Sequence, residues 1–155
     1  MVEIREKVVN MYFGYYEHSL DDKGRLMIPA RLREGLVAGS PLYIINGFDG
    51  YLGVYNEEGY KALCSYLDKF SDFHQDARKV KRDIYSSTFV LNVDRLGRIQ
   101  IPNSVLTRYG ISRKVVVLGV GDHFEIWDEE KYKAYQEEAS KEISSLADKL
   151  EKDNG

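Results

Sequence analysis

A chain of 155 residues with 43% hydrophobic and 30% charged residues has the composition of an ordinary soluble globular protein, long enough for one domain or two closely packed halves. No apolar run approaches the roughly 20 residues that span a bilayer, and residues 1–10 lack the apolar region of a signal peptide, so no membrane partner is expected. The single Cys64 excludes an internal disulfide and agrees with a reducing cytoplasm, while a net charge of −3 argues against a uniformly basic nucleic-acid binder.

Residues 1–10 read as a variable N-terminal extension. Tyr12 to Leu20 alternates weakly and predicts a strand entering a turn. Asp21-Asp22-Lys23-Gly24 has the chemistry of a type I turn: Asp21 offers a carboxylate to a backbone N–H, and Gly24 supplies the positive φ at the end. This predicts a tight hairpin loop with Arg25 to Ile28 leading out, Leu26 and Ile28 on one face and Arg25 and Met27 on the other. Pro29 suits the start of a short helix, and Gly35 its end.

Pro41 to Ile45 and Tyr51 to Tyr55 read as strands joined by a glycine-containing turn. Asn56 is placed to cap a helix with a stripe of Tyr60, Leu63, Leu67 and Phe70. Asp72 predicts the cap of another helix, with Phe73, Ala77, Val80 and Ile84 on one face and Arg78, Lys79, Lys81 and Arg82 on the other. That helix joins two halves and has no counterpart in the repeat described next.

The turn sequence returns as Asp94-Arg95-Leu96-Gly97-Arg98-Ile99-Gln100-Ile101-Pro102, with glycines 73 residues apart (97 − 24). Tyr43 to Gly47 then aligns with Val115 to Gly119, Tyr51 to Tyr55 with His123 to Trp127, and Asn56-Glu57-Glu58 with Asp128-Glu129-Glu130. The order predicts two equivalent βαββα halves sharing one core, since either alone would bury little apolar surface. Asp128 is placed to cap a long final helix with a heptad-like seam of Tyr132, Tyr135, Ala139, Ile143, Leu146 and Leu150. Charge is segregated: residues 76–113 carry eight Lys/Arg against three Asp/Glu, whereas residues 122–155 carry five Lys against eleven Asp/Glu.

No constellation supports an enzyme, and neither a cofactor nor a small-molecule substrate is expected. His18, His74 and His123 lack metal-ligand spacing with one another or with Cys64. Gly119-Val120-Gly121 lies between two predicted strands and reads as a turn rather than a nucleotide loop. Asp21 and Asp94 each have an arginine four residues on, which holds the carboxylate ionised. The tyrosines read mostly as core.

With these stretches assembled, the chain closely resembles the MraZ family of bacterial transcriptional regulators, within the AbrB/MazE-like group of swapped-hairpin DNA binders. The resemblance rests on Gly14 to Arg31, on Phe89 to Pro102 and on Val115 to Asp128. It implies an α+β fold, a double-split β-barrel built from the two halves with packed helices. It also implies a ring-shaped homo-oligomer, cytoplasmic and nucleoid-associated, that binds short repeated sites on double-stranded DNA upstream of its own operon in the division and cell-wall cluster.

The family's DNA contacts centre on the D-x-x-x-R turn. They map here onto Lys23 and Arg25 in the first copy and Arg95 and Arg98 in the second, with Arg31 beside them and Asp21, Gly24, Asp94 and Gly97 shaping the turns. The second turn departs from the first, carrying Arg95-Leu96 where the first has Asp22-Lys23. The expected organisation is an extension over 1–10, a first repeat over 11–71, a linking helix over 72–86, and a second repeat over 87–155 with an extended C-terminal helix. The alternative function is an oligomeric protein-interaction scaffold whose acidic 122–155 segment docks a basic partner, with nucleic-acid binding secondary.

Overall fold

The computed structural model describes residues 11–154, so the expected extension over 1–10 lies outside the described residues. Strands β1 (Tyr12–Ser19), β2 (Arg25–Met27), β3 (Pro41–Asn46) and β4 (Leu52–Tyr55) precede helices α1 (Glu57–Leu67) and α2 (Gln75–Ser87). Strands β5 (Phe89–Asn92) and β6 (Arg98–Gln100), helix α3 (Asn103–Arg108), strands β7 (Lys114–Gly121) and β8 (Phe124–Asp128), and helices α4 (Glu129–Ser140) and α5 (Ile143–Asn154) follow. A single 3-10 turn, Ala30–Arg33, stands where the first half's short helix was expected.

Six strands form one antiparallel sheet in the order β1-β7-β8-β4-β3-β5, and β2 and β6 form a separate two-stranded ribbon. The order is symmetric about the central β4–β8 pair. Each half keeps its own hairpin (β3–β4 or β7–β8) and lends its first strand to the other, β1 pairing with β7 and β5 with β3. The sheet is mixed with helices as an α+β fold but does not close on itself: among the described residues β1 and β5 are its two edges. The expected barrel is therefore an open sheet capped by a ribbon.

The exchange also corrects the first turn. Asp21 to Gly24 turns as expected, yet its two arms do not form a hairpin, because β1 pairs with β7 and β2 with β6. Local sequence specifies the turn; apolar partners in the other half decide the pairing.

One core lies between the sheet and the ribbon. Leu26, Ile28, Ile99 and Ile101 pack there with Leu42, Ile44, Val54, Val115, Val117, Phe124 and Ile126. Alternation along β3 sends Leu42 and Ile44 into this core and Ile45 to the opposite face, where it meets Tyr55, Leu67 and Ile84 beneath α1 and α2.

Three helix expectations change. The helix after Leu67 begins at Gln75, not at Asp72, because the Asp72 carboxylate takes the Lys81 ammonium at 2.8 Å instead of capping; Phe73 is 96% exposed. The long final helix is two helices. Its ladder breaks where Lys141 N–H and Glu142 N–H donate three residues back, to the carbonyls of Glu138 and Ala139. Ile143, Leu146 and Leu150 are thus exposed rather than part of a continuous packed seam. Finally, each half has one strand and one helix more than βαββα, since α5 follows α4 as α2 follows α1. Of the tyrosines, Tyr12 and Tyr55 are buried, while Tyr15, Tyr66, Tyr85 and Tyr135 are exposed.

Candidate nucleic-acid interface

Both D-x-x-x-R turns have the same internal wiring. Asp21 Oδ1 accepts from Lys23 N–H at 2.9 Å and Arg25 N–H at 2.9 Å, and Oδ2 accepts from Arg25 Nε at 2.5 Å. Asp94 Oδ1 accepts from Leu96 N–H at 2.9 Å and Arg98 N–H at 2.8 Å, and Oδ2 from Arg98 Nε at 2.9 Å. These bonds, led by the backbone N–H of the arginine, hold both carboxyls below the usual aspartate range. Gly24 and Gly97 close the turns at φ 76° and 83°, where a side chain would be strained.

The pairing of β2 with β6 then brings the two turns onto one structure. Arg25 lies opposite Gln100, Leu26 opposite Ile99, and Met27 opposite Arg98. Each strand runs on to bond the other turn: Ile28 N–H donates to the Gly97 carbonyl at 3.0 Å and Ile101 N–H to the Gly24 carbonyl at 2.9 Å. The central Leu26–Ile99 pair faces the core, so Arg25, Met27, Arg98 and Gln100 occupy the opposite, outward face.

On that face the Nε of each arginine is committed to its aspartate. Among the described residues no hydrogen bond engages the terminal amino groups of Arg25 or Arg98. Each arginine is therefore held in a fixed direction with its outer fork free.

The structure places the remaining expected residues around this ribbon. Exposed Lys23 sits in the turn before Arg25, and its carbonyl accepts from Gln100 Nε2 at 3.1 Å. Exposed Arg95 sits in the turn before Arg98. Arg31, on the 3-10 turn, holds its guanidinium 6.0 Å from the centre of the Phe13 ring.

Two cations were missed from sequence. Arg33 packs against Gly97, and Arg113 forms an ion pair with Asp22. Arg33 belongs to the first half and serves the second half's turn, so nothing in its local sequence marks it. Gln100 and Met27 were legible as outward residues, but only strand pairing across the repeat shows them between the two arginines.

Together these features define a class: a two-half α+β protein whose halves exchange strands and jointly build an outward-facing basic ribbon. The sequence profile of the MraZ protein family matches the chain twice, over residues 11–83 and 84–154. The chain is 36% identical over 140 residues to a transcriptional regulator MraZ of Mesoplasma florum, covering 90% of this chain and 95% of that one. It is 37% identical to a transcriptional regulator MraZ of Ligilactobacillus salivarius (90% and 96% covered) and 38% identical to one of Mycoplasma capricolum (86% and 100% covered). The chain belongs to the MraZ family. These relatives are named as transcriptional regulators, which makes the family one of regulators and not of enzymes. No helix among the described residues is long and apolar enough to cross a membrane.

Proposed function

We propose that the protein is a sequence-specific DNA-binding transcription regulator that presents the β2/β6 ribbon to the major groove. The observation that carries this reading is the paired Arg25 and Arg98, each clamped through Nε by an aspartate and each with its outer fork unbonded on one face of the ribbon. A two-stranded ribbon fits the roughly 12 Å wide major groove, and an arginine fork can grip a phosphate or the O6/N7 edge of guanine. Gln100, beside them, has the amide pair that suits adenine. Lys23 and Arg95 at the two turns, and Arg31 further out, add charge for phosphates, with Asp21, Gly24, Asp94 and Gly97 as the scaffold of the turns.

One ribbon makes few contacts, and the whole chain carries a net charge of −3. Useful affinity then needs several copies on several sites, because linked sites bind with a high effective concentration. The reading therefore includes a homo-oligomeric ring acting on repeated sites on the bacterial nucleoid. Its target, the region upstream of its own operon in the division and cell-wall cluster, is carried over from the family resemblance.

The test is titration of DNA from that region at increasing salt. A DNA reader loses affinity steeply as salt rises yet keeps a preference for its own site over unrelated DNA. The alternative scaffold reading rests on the acidic 122–155 segment, with eleven Asp/Glu against five Lys, and predicts no sequence preference at any salt.

A further inference from the structure

The ribbon is built about a quasi-twofold axis. The two motifs are 73 residues apart, so the antiparallel Leu26–Ile99 pair at its centre relates Arg25 to Arg98 (98 − 25) and Met27 to Gln100 (100 − 27). A ribbon of exact twofold symmetry would present the same groups at both ends and mirror a palindromic site.

The arginines keep this symmetry and their neighbours break it. Register puts Gln100 opposite Arg25, beside the turn that carries Lys23. It puts Met27 opposite Arg98, beside the turn that carries Leu96 at the place equivalent to Lys23 (96 − 23 = 73). One end of the outward face is therefore rich in hydrogen-bonding groups, and the other is partly apolar.

The two ends suit different bases. Gln100 Nε2 donates to the Lys23 carbonyl at 3.1 Å, which orients the amide and leaves one N–H and Oε1 for a partner. That donor and acceptor match adenine N7 and the adenine N6 amino group in the major groove. Met27, at the equivalent place, has no N–H to donate. It is 37% exposed, and Leu96 at the same end is 59% exposed. The apolar group that a base pair offers in the major groove is the thymine 5-methyl. The turn-tip cations Lys23 and Arg95 suit phosphates, which carry no sequence information, so direction has to be read by the residues between the turns.

We propose that Gln100 and Met27 set the direction in which the ribbon lies on its site, Gln100 over an adenine and Met27 over a thymine methyl, with an arginine beside each. This rests on the DNA reading above and names the residues that make it directional. At the two base positions related by the quasi-twofold axis, Gln100 meets adenine on one strand and Met27 meets thymine on the other. Such a site is not a palindrome. Inverting it about its own centre puts thymine under Gln100 and adenine under Met27.

The experiment is titration of the DNA upstream of the protein's own gene beside the same DNA with one footprinted site inverted about its centre. The proteins are the wild type, Met27→Gln and Gln100→Met, each checked by melting and sedimentation. Both side chains are on the outward face, away from the core. The wild type is expected to bind the inverted DNA at least about tenfold more weakly, within the range of one lost base contact. Each substitution makes the two ends alike at this pair, so each variant is expected to bind the two DNAs within about twofold of each other. Deoxyuridine in place of the site's thymines removes only the methyl groups. It is expected to weaken the wild type several-fold and to leave Met27→Ala unaffected.

A wild type that binds both DNAs equally, folded variants that keep the full preference for one direction, or equal losses on deoxyuridine DNA for the wild type and Met27→Ala would each overturn the proposal. The Arg25→Ala/Arg98→Ala variant reads the interface separately. If it binds as the wild type does, the DNA reading itself fails; if it loses binding while the wild type ignores direction, only the directional claim falls.

Discussion

Leu26 of the first half and Ile99 of the second stand directly opposite one another in the β2/β6 ribbon, both essentially without solvent exposure. Neither half can complete this pair alone, so the ribbon's inner face is also the seam that joins the halves. Truncating one partner leaves a void against the core formed by both.

Ile99→Ala is expected to cost about 2–5 kcal/mol, as large-to-small changes in a close-packed core do. Denaturant unfolding should still show one transition, shifted to lower denaturant. A loss below about 0.5 kcal/mol, the range of an ordinary surface change, contradicts a shared core.

The two turn glycines should differ in their tolerance. A Cβ on Gly24 would lie 2.7 Å from the Ile101 carbonyl oxygen, a backbone atom fixed in the ribbon. A Cβ on Gly97 would meet the Arg33 side chain, which can move away. Both sit at positive φ, a strain of about 1–3 kcal/mol for an alanine. Gly24→Ala should therefore lower the melting temperature more than Gly97→Ala, and equal losses would mean that the Ile101 contact is not as described.

The pH dependence should come from both sides. Burial disfavours the His123 cation, but the Glu125 carboxylate, 3.8 Å from Nε2, and the Asp122 carboxylate, 2.6 Å from Nδ1, outweigh that and raise its pKa above the usual 6.5. Its contribution is fully present below about pH 6.5 and is lost as the pH rises through the raised folded value. His123→Phe keeps the aromatic stack on Tyr55, whose rings are 4.3 Å apart, and should remove this alkaline decline in melting temperature. Asp21, Asp94 and Asp128 have the opposite sign. Their lowered pKa values give stability above the normal aspartate range that is lost on acidification. A melting curve for the phenylalanine variant that still falls as the wild type's does when the pH rises above about 6.5 would contradict the His123 assignment.

The local chemistry of the site was legible in the sequence. The Asp–Gly–Arg spacing predicted the turns, the positive φ glycines and the cross-turn ion pairs, and alternation predicted Leu26, Ile28, Ile99 and Ile101 inward. The partners of β1, β2 and β5 were not written locally. A tight turn normally joins paired strands, and only the demand for a shared core sends these strands to the other half. For the same reason Arg33 at Gly97 was invisible, lying 64 residues away (97 − 33) in sequence. The heptad-like spacing from Tyr132 to Leu150 suggested one helix. It carries no mark of the break at Lys141–Glu142, which separates a packed aromatic segment from an unpacked apolar one.

Arg25→Ala is expected to weaken specific DNA binding by about 1–3 kcal/mol per site if its fork reads a base, and Arg98→Ala likewise. Lys23→Ala should instead weaken binding similarly on all sequences and flatten the salt dependence. Melting should change little for the lysine, which is exposed and makes no ion pair among the described residues.

The central claim is that the outward face of the β2/β6 ribbon is what touches DNA. The most direct measurement is a footprint with guanine-N7 methylation interference on the DNA upstream of the protein's own gene, comparing the wild type with an Arg25→Ala/Arg98→Ala variant shown to be folded and assembled. The account predicts repeated protected sites at which major-groove methylation blocks the wild type, and no protection by the double variant. A double variant that protects the same sites at the same concentration, with the same interference pattern, would contradict it.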